Sequence, residues 1–223
     1  MILSLLAQNP LLFVVWVIAI IFALTVHEFF HALAAYFLGD KTAQRAGRLT
    51  LNPLSHIDPV GFLMLMIAGI GWAKPVPFNP YNLKYSKWGP ALVALAGPAS
   101  NLASFFILGA VAKLLLIYGF AASNLLIVLL IFTIYINAIL LFFNVLPIPP
   151  LDGSKILYAI LSHPKYNNLK LRLELQGTYV LLGLLILNWV TNGLILSPIF
   201  IGTYYLFKTM GLETVLAGIF SFF

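Results

Sequence analysis

Long apolar stretches with few charges alternate with short polar connections along the chain. A helix needs about 20 apolar residues to cross a bilayer. Three stretches meet this length and predict transmembrane spans at 10–38, 90–118 and 125–146. The stretch at 179–207 is interrupted by polar residues and predicts either one long span or two short ones. The pattern predicts an all-α polytopic membrane protein in which 1–223 form a single domain, a bundle of about 4–5 transmembrane helices.

One apolar segment, 57–80, does not fit the pattern of a full span. Its apolar core is short and rich in glycine, and a basic residue stands on either side of it. The alternate prolines Pro75 and Pro77, followed by Pro80, exclude a helix at its end and favour an extended edge strand. Non-helical backbone survives at membrane depth only against protein or a wet cavity. We therefore predict a membrane re-entrant extended segment at 57–80.

Composition narrows the class of protein further. Hydrophobic residues make up 62% and charged residues 8%, the mean hydropathy is +1.03, and there is no cysteine. These values exclude a soluble domain, a disulfide framework and a thiolate metal site. The N-terminus lacks the basic region and the small-residue cleavage site of a signal peptide, so the first span is expected to be retained.

The formal net charge of +6 is distributed around the apolar segments. Basic residues follow the first and third spans and none precedes the first, which predicts that the N-terminus lies outside and both basic connections lie in the cytoplasm. This distribution suits membrane orientation better than a nucleic-acid surface, so we expect no nucleic-acid partner. The residues concerned are Lys41, Arg45, Arg48, Lys74, Lys84, Lys87, Lys155, Lys165, Lys170 and Arg172.

The sequence His27-Glu28-Phe29-Phe30-His31 closes the first apolar stretch. Side chains at i and i+4 lie on one helical face, where both imidazoles can bind a single Zn²⁺. Glu28 is rotated off that face, where it can act as a base toward water. The alternative is a histidine pair that only hydrogen-bonds to neighbouring helices. Ionisable residues inside a membrane are costly, and this favours the metal interpretation.

A catalytic zinc site needs a third protein ligand, and without cysteine that ligand must be His, Asp or Glu. Asp152 follows Pro147, Pro149 and Pro150, which end the third span at the same membrane depth as the histidine pair. Asp152 is equally suited to cap a helix that starts near Ser154. The residues alone leave both roles open.

Two further groups of polar residues are candidates for the site. His56 and Asp58 precede Pro59 and form a rival pair, although their spacing is more typical of loop structure. His163, before Pro164, is expected to be a solvated loop residue.

Three blocks of residues resemble those of the site-2 proteases in their order and separation. The site-2 proteases are intramembrane zinc metalloproteases. The blocks are His27 to His31, Gly97-Pro98-Ala99-Ser100-Asn101, and the residues from Asn144 to Asp152-Gly153. The resemblance implies that His27, His31 and Asp152 bind Zn²⁺ and that Glu28 is the catalytic base. It also implies that Asn101 and Asn144 lie near the active site, and that 72–80 is a membrane-embedded strand region. The resemblance also leads us to expect a minimal core, without the inserted PDZ domain and the appended CBS domains of some members.

The resulting hypothesis is a zinc-dependent intramembrane endopeptidase of the cell membrane, with its active site near the cytoplasmic face. Its partners would be transmembrane protein substrates within the lipid bilayer, and an extended substrate could pair with the edge at 73–78. Asn101 or Asn144 could serve as a second oxyanion donor or simply bond to a neighbouring helix. The alternatives are a transporter or metal permease, and a catalytically inactive relative that binds membrane segments. Nothing in the sequence indicates an oligomeric state.

Overall fold

The computed structural model describes residues 2–69 and 71–220. Within these ranges the backbone forms ten α-helices and no β-strand. In chain order they are α1 Ile2–Gln8, α2 Pro10–Phe37, α3 Thr42–Arg45, α4 Pro59–Ala68, α5 Gly89–Ile117, α6 Leu125–Asn144, α7 Gly153–Ile160, α8 Asn167–Val190, α9 Ser197–Met210 and α10 Glu213–Phe220.

The core lies where α2, α5 and α6 pack against one another. Its largest fully buried side chains include Phe105 of α5 and Phe132 of α6, and α9 covers it by placing Phe207 edge-to-face on Phe105, 5.4 Å between centroids. The opposite face of α2 leaves large apolar side chains exposed, as expected of a surface that faces lipid. These exposed residues are Leu11, Val14, Ile18 and Phe22.

The predicted fold class, an all-α polytopic membrane protein, is confirmed. In the described part of the chain, four helices are long and apolar enough to cross a bilayer. They are α2, α5, α6 and the helix Pro164–Val190, which consists of a 3₁₀ turn at Pro164–Tyr166 and α8.

The apolar stretch at 179–207 is two helices rather than one. The long helix α8 starts at Asn167, well before the apolar run, and ends at Val190. The chain then turns, and the Asn188 side chain accepts the Leu196 N–H at 2.9 Å across the break. The following helix α9 has 14 residues. At 1.5 Å per residue it is about 21 Å long, shorter than the bilayer core.

The segment at 57–80 doubles back on itself. The helix α4 ends at Gly69, which has a positive φ of 74°, and no helix is present from 71 to 79. An isolated antiparallel bridge between Ile57 and Ala73 joins the two arms. A Cβ on Gly71 would lie 2.3 Å from the Gly61 carbonyl oxygen, so the arms approach too closely for any side chain. Beyond the bridge the structure has neither helix nor strand up to residue 79; the prolines that follow Lys74, Val76 and Asn79 favour extended backbone there, and Asn79 is extended, at φ −106° and ψ 112°. The depth of this segment in the membrane stays a prediction.

Candidate metal centre

Three side chains converge between α2 and the turn that precedes α7. The Nε2 atoms of His27 and His31 are 3.0 Å apart. The Oδ2 atom of Asp152 lies 3.2 Å from Nε2 of His27 and 3.3 Å from Nε2 of His31. Both histidines are buried, and the Asp152 side chain is 19% exposed.

The structure distinguishes the two roles that the sequence left open for Asp152. The residue occupies the position before α7, yet its side chain makes no capping hydrogen bond. Its backbone is already helical, at φ −58° and ψ −38°, whereas a capping residue is usually extended. The carboxylate of Asp152 therefore faces the histidine pair instead of capping α7.

The opposite ring nitrogens of the two histidines are held by oxygen atoms of α5. Nδ1 of His31 lies 2.7 Å from the Val93 carbonyl oxygen, and Nδ1 of His27 lies 2.6 Å from Oδ1 of Asn101. A carbonyl oxygen only accepts hydrogen bonds, so His31 must carry its proton on Nδ1. Its Nε2 then presents a lone pair to the cluster.

A relay of hydrogen bonds through the side-chain amides of Asn137 and Asn101 also assigns the proton of His27 to Nδ1. The carbonyl oxygen of Thr133 accepts Nδ2–H of Asn137 at 2.7 Å, which turns the Asn137 oxygen toward Asn101. Asn101 then donates its Nδ2–H to Asn137 Oδ1 at 2.8 Å and turns its own oxygen to His27. His27 Nδ1 must therefore donate, which leaves the lone pair on Nε2. The Oδ1 atom and one Nδ2–H of the fully buried Asn101 are used in this relay, which orients His27.

The donor set fits a divalent metal ion. Two neutral imidazole lone pairs and a carboxylate oxygen face one another, an arrangement that is repulsive without a cation or a shared proton. Two donors about 2.0–2.1 Å from a tetrahedral zinc ion are about 3.3 Å apart, close to the separations seen here. Histidine ligands that donate their other N–H to an oxygen are also typical of zinc sites.

Glu28 lies beside this donor set. A carboxylate oxygen of Glu28 and a ring nitrogen of each histidine all lie within 4.8 Å of one another. The Glu28 side chain is buried and lines a cavity of about 330 Å³ together with His27, His31 and Asp152. The cavity wall opposite is formed by the extended segment, through Ala73, Pro75, Val76 and Phe78. The arrangement places a metal donor set, a carboxylate base and an extended backbone around one space.

The remaining predicted residues occupy different places. Asn144 lines the cavity, while its amide donates to the Leu140 carbonyl of its own helix at 3.1 Å. Asp58 caps α4 by accepting the Gly61 N–H at 2.8 Å. His56 is buried and its Nε2 donates to the Thr50 carbonyl at 2.8 Å. His163 is exposed and accepts the Lys165 N–H. None of His56, Asp58 and His163 joins the converging donors of the described residues.

Sequence reasoning missed Asn137, the Val93 carbonyl and Gly97. Asn137 carries a weak sequence signal, since it is one of two asparagines within the apolar run of α6 and lies two helical turns before Asn144. Gly97 belongs to a block already noted, but its contact with the histidines follows only from the packing of α5 on α2. A backbone carbonyl carries no sequence signal at all.

Replacement of Asn137 by leucine is expected to lower zinc affinity by about 10- to 100-fold, the range typical when a group that orients a metal ligand is removed. Without the Asn137 oxygen, the buried Asn101 amide loses its partner and no longer fixes the His27 tautomer. Competition of purified protein with a chromogenic zinc chelator measures the affinity. Asn168→Leu, at an exposed position of α8, is the matched control. Equal affinity in Asn137→Leu and the wild type would contradict the relay.

Comparison with known proteins agrees with this chemistry. Residues 109–188, from the second half of α5 to α8, match Peptidase family M50. The Bacillus subtilis (strain 168) protein "Putative zinc metalloprotease YwhC" is 43% identical over 145 residues, covering 63% of this chain and 66% of YwhC. Rip2 of Mycobacterium tuberculosis (strain H37Rv) has the same description and is 32% identical over 205 residues, covering 88% of this chain and 74% of Rip2.

A third relative, MJ0611 of Methanocaldococcus jannaschii, has that description too and is 31% identical over 147 residues, covering 66% of this chain and 71% of MJ0611. The match therefore spans just under two thirds of YwhC and more of the other two relatives. No solved structure gives a significant match.

Proposed function

Because the chain belongs to peptidase family M50, the site-2 protease family of zinc metalloproteases, we propose that it is an intramembrane endopeptidase that hydrolyses peptide bonds in transmembrane segments of other proteins. The observation that carries the proposal is the convergence of His27, His31 and Asp152 at 3.0–3.3 Å, with the Glu28 carboxylate beside them in one cavity.

The residues divide the chemistry between them. His27, His31 and Asp152 would hold zinc, which when bound lowers the pKa of a coordinated water toward neutrality and polarises a carbonyl. Glu28 lies beside these donors, with a carboxylate oxygen within 4.8 Å of a ring nitrogen of each histidine. It is therefore placed to take the proton of the attacking water and to return it to the leaving amine nitrogen.

Two features support an apolar, extended substrate. The wall at 73–78 is extended backbone, which can pair with a substrate strand. A second cavity, of about 300 Å³, is lined mainly by apolar side chains of α2, α4 and α6. It shares five lining residues with the metal cavity: Leu24, Gly71, Trp72, Ala73 and Leu140. It provides an apolar surface for the rest of a transmembrane segment while the bond to be cut lies beside Glu28.

The proposed orientation follows from charge. The metal donors lie at the end of α2, followed by Lys41, Arg45 and Arg48, and Asp152 is followed by Lys155. The positive-inside rule then puts the N-terminus outside and the site near the cytoplasmic face of the cell membrane. Water would reach the cavity from that side.

Removal of the metal is expected to abolish cleavage. Detergent-purified protein is incubated with a panel of single-span membrane proteins before and after dialysis against 1,10-phenanthroline, and bound zinc is quantified in parallel. We expect about one zinc per chain, loss of cleavage on chelation and recovery when zinc is restored. The reason is that His27, His31 and Asp152 contribute to the proposed reaction only by holding the metal ion.

Other results would point to the alternatives. Cleavage that survives complete removal of zinc would contradict the metalloprotease proposal. Bound zinc with no cleavage of any substrate would favour an inactive binding protein. If zinc were then taken up into proteoliposomes that contain the protein, a metal permease would be the better assignment.

A further inference from the structure

The extended segment that faces the metal donors belongs to no β-sheet of the described residues, so something else must hold it in place. Among the described residues, its backbone pairs with another segment at the Ile57–Ala73 bridge, where the Lys74 N–H donates to the His56 carbonyl at 2.9 Å. Extended backbone without a partner strand has little intrinsic reason to keep one position. The side chains that bind it are therefore informative.

Arg48 binds the carbonyls that follow the bridge. Its Nη1 donates to the Pro75 carbonyl oxygen at 3.0 Å, and its Nη2 donates to the Lys74 carbonyl oxygen. The side chain is buried, with 5% of its surface exposed. A guanidinium presents its donors in a rigid planar fork, so two bonds to consecutive carbonyls fix the orientation of that backbone as well as its position.

His56 supports Arg48 from behind. Since Arg48 can only donate, His56 Nδ1 accepts from Nη2 at 3.4 Å, and His56 Nε2 donates to the Thr50 carbonyl at 2.8 Å. His56 is 1% exposed. His56, which the sequence offered with Asp58 as a rival pair for the metal site, therefore orients Arg48.

A second anchor lies at the far end of the segment. The buried Asp40 accepts the Asn79 N–H through Oδ2 at 2.6 Å, and its Oδ1 accepts the Asn82 amide at 3.1 Å. The backbone is therefore held at Lys74 and Pro75 on one side and at Asn79 on the other.

The backbone between these anchors is unpaired. Within 2–69 and 71–220, neither the N–H nor the carbonyl of Val76 has a hydrogen-bond partner, and Pro77 has no N–H. Val76 lines the metal cavity together with His27, Glu28 and His31. An unpaired edge residue is where an added strand forms its backbone hydrogen bonds.

We propose that Arg48 is a positioning residue for substrate: its guanidinium clamps the Lys74 and Pro75 carbonyls so that the unpaired backbone of Val76 faces an extended substrate strand beside the metal donors. The inference rests on the proposed peptidase function for its substrate, but the clamp itself is a property of the free protein. Arg48 contacts no metal donor, and its charge acts on Glu28 only through space, so its loss should weaken the binding of substrate more than the chemistry that follows.

The test uses two readouts on the full-length protein. The chain has no cysteine, so Val76→Cys introduces a single thiol for a nitroxide label, whose mobility in electron paramagnetic resonance reports the freedom of the segment. Cleavage of a single-span substrate by the unlabelled protein gives kcat and KM separately. Both are measured in Arg48→Met, which removes the donors, in Arg48→Lys, which keeps the charge but not the fork, and in Arg45→Met, at an exposed arginine of α3.

We expect Arg48→Met to mobilise the label and to raise KM by about 10-fold or more, with kcat changed by less than about 3-fold. This result is expected when the lost interaction contributes equally to the binding of the substrate and of the transition state. Arg48→Lys should lie between Arg48→Met and the wild type, and Arg45→Met should match the wild type. If Arg48→Met fails to fold, judged by thermal unfolding and zinc content, Arg48→Lys carries the same test.

Several outcomes would overturn the inference. Unchanged label mobility in both Arg48 variants would show that the guanidinium does not hold the segment. Increased mobility with unchanged KM, or a fall confined to kcat, would show that the clamp does not position substrate. If the wild type itself cuts no substrate, the proposed function fails, and the mobility measurement still decides whether Arg48 is a clamp.

Discussion

Glu28→Gln is expected to lower the rate of substrate cleavage by about 10²- to 10⁴-fold, the usual contribution of a general acid–base group. The amide has nearly the shape of the carboxylate but cannot take a proton from water or return it to the leaving amine. Zinc content should stay at about one per chain, because His27, His31 and Asp152 supply the converging donors. Cleavage assays and metal analysis of the same preparation measure both quantities.

The control for this variant is Glu174→Gln, at a side chain that is 58% exposed and paired with Lys155 at 3.2 Å. Exposed ion pairs contribute little, so cleavage should be unchanged. If Glu28→Gln lost its zinc together with its activity, Glu28 would be a fourth metal ligand rather than the base. If the variant cut at the wild-type rate, the proposed mechanism would be wrong.

Gly97→Ala should lower zinc affinity and activity together, although the substitution lies on α5 and changes no donor atom. An added Cβ would lie 2.5 Å from Cε1 and Nε2 of His31 and 2.6 Å from Cε1 of His27. The rings cannot simply turn away, because Asn101 and the Val93 carbonyl hold their Nδ1 atoms at 2.6 and 2.7 Å. Overpacking of this kind typically costs about 1–3 kcal/mol in stability.

We expect zinc affinity to fall by at least about 10-fold in Gly97→Ala, as it does when ligand orientation is disturbed. Gly183→Ala on α8 is the matched control, because nothing lies within 4 Å of a Cβ there. Alanine in a helix is favoured over glycine by about 1 kcal/mol, so the control should be as stable as the wild type or slightly more so. Wild-type zinc affinity in Gly97→Ala would show that α5 does not press on the histidine pair.

Features that depend on local periodicity could be predicted from the sequence. The helical spans follow from the length and apolarity of the stretches that became α2, α5 and α6. The placement of His27 and His31 on one face follows from their spacing alone, since i and i+4 side chains adjoin on any helix. The prolines after residue 74 exclude a helix, and none is present from 71 to 79.

The limits of this reasoning are equally specific. From the sequence alone, Asp152 could equally well cap α7 or turn its carboxylate back toward the histidine pair, because an aspartate that precedes a helix can do either. The extent of α8 was also missed, since its first turns carry Lys170, Arg172 and Glu174, which no hydropathy pattern assigns to a span.

Local sequence information was therefore enough to specify the fold class and the histidine pair with its neighbouring carboxylate, because both depend on residues close together in the chain. Tertiary packing was needed to bring the Asp152 carboxylate onto that pair and to place the Asn101–Asn137 relay behind His27, where Asn101 contacts a side chain 74 residues away. It also held the extended segment against the site through Arg48. These contacts depend on how α2, α5 and α6 pack and on where the turn before α7 returns, and helical periodicity carries no information about either.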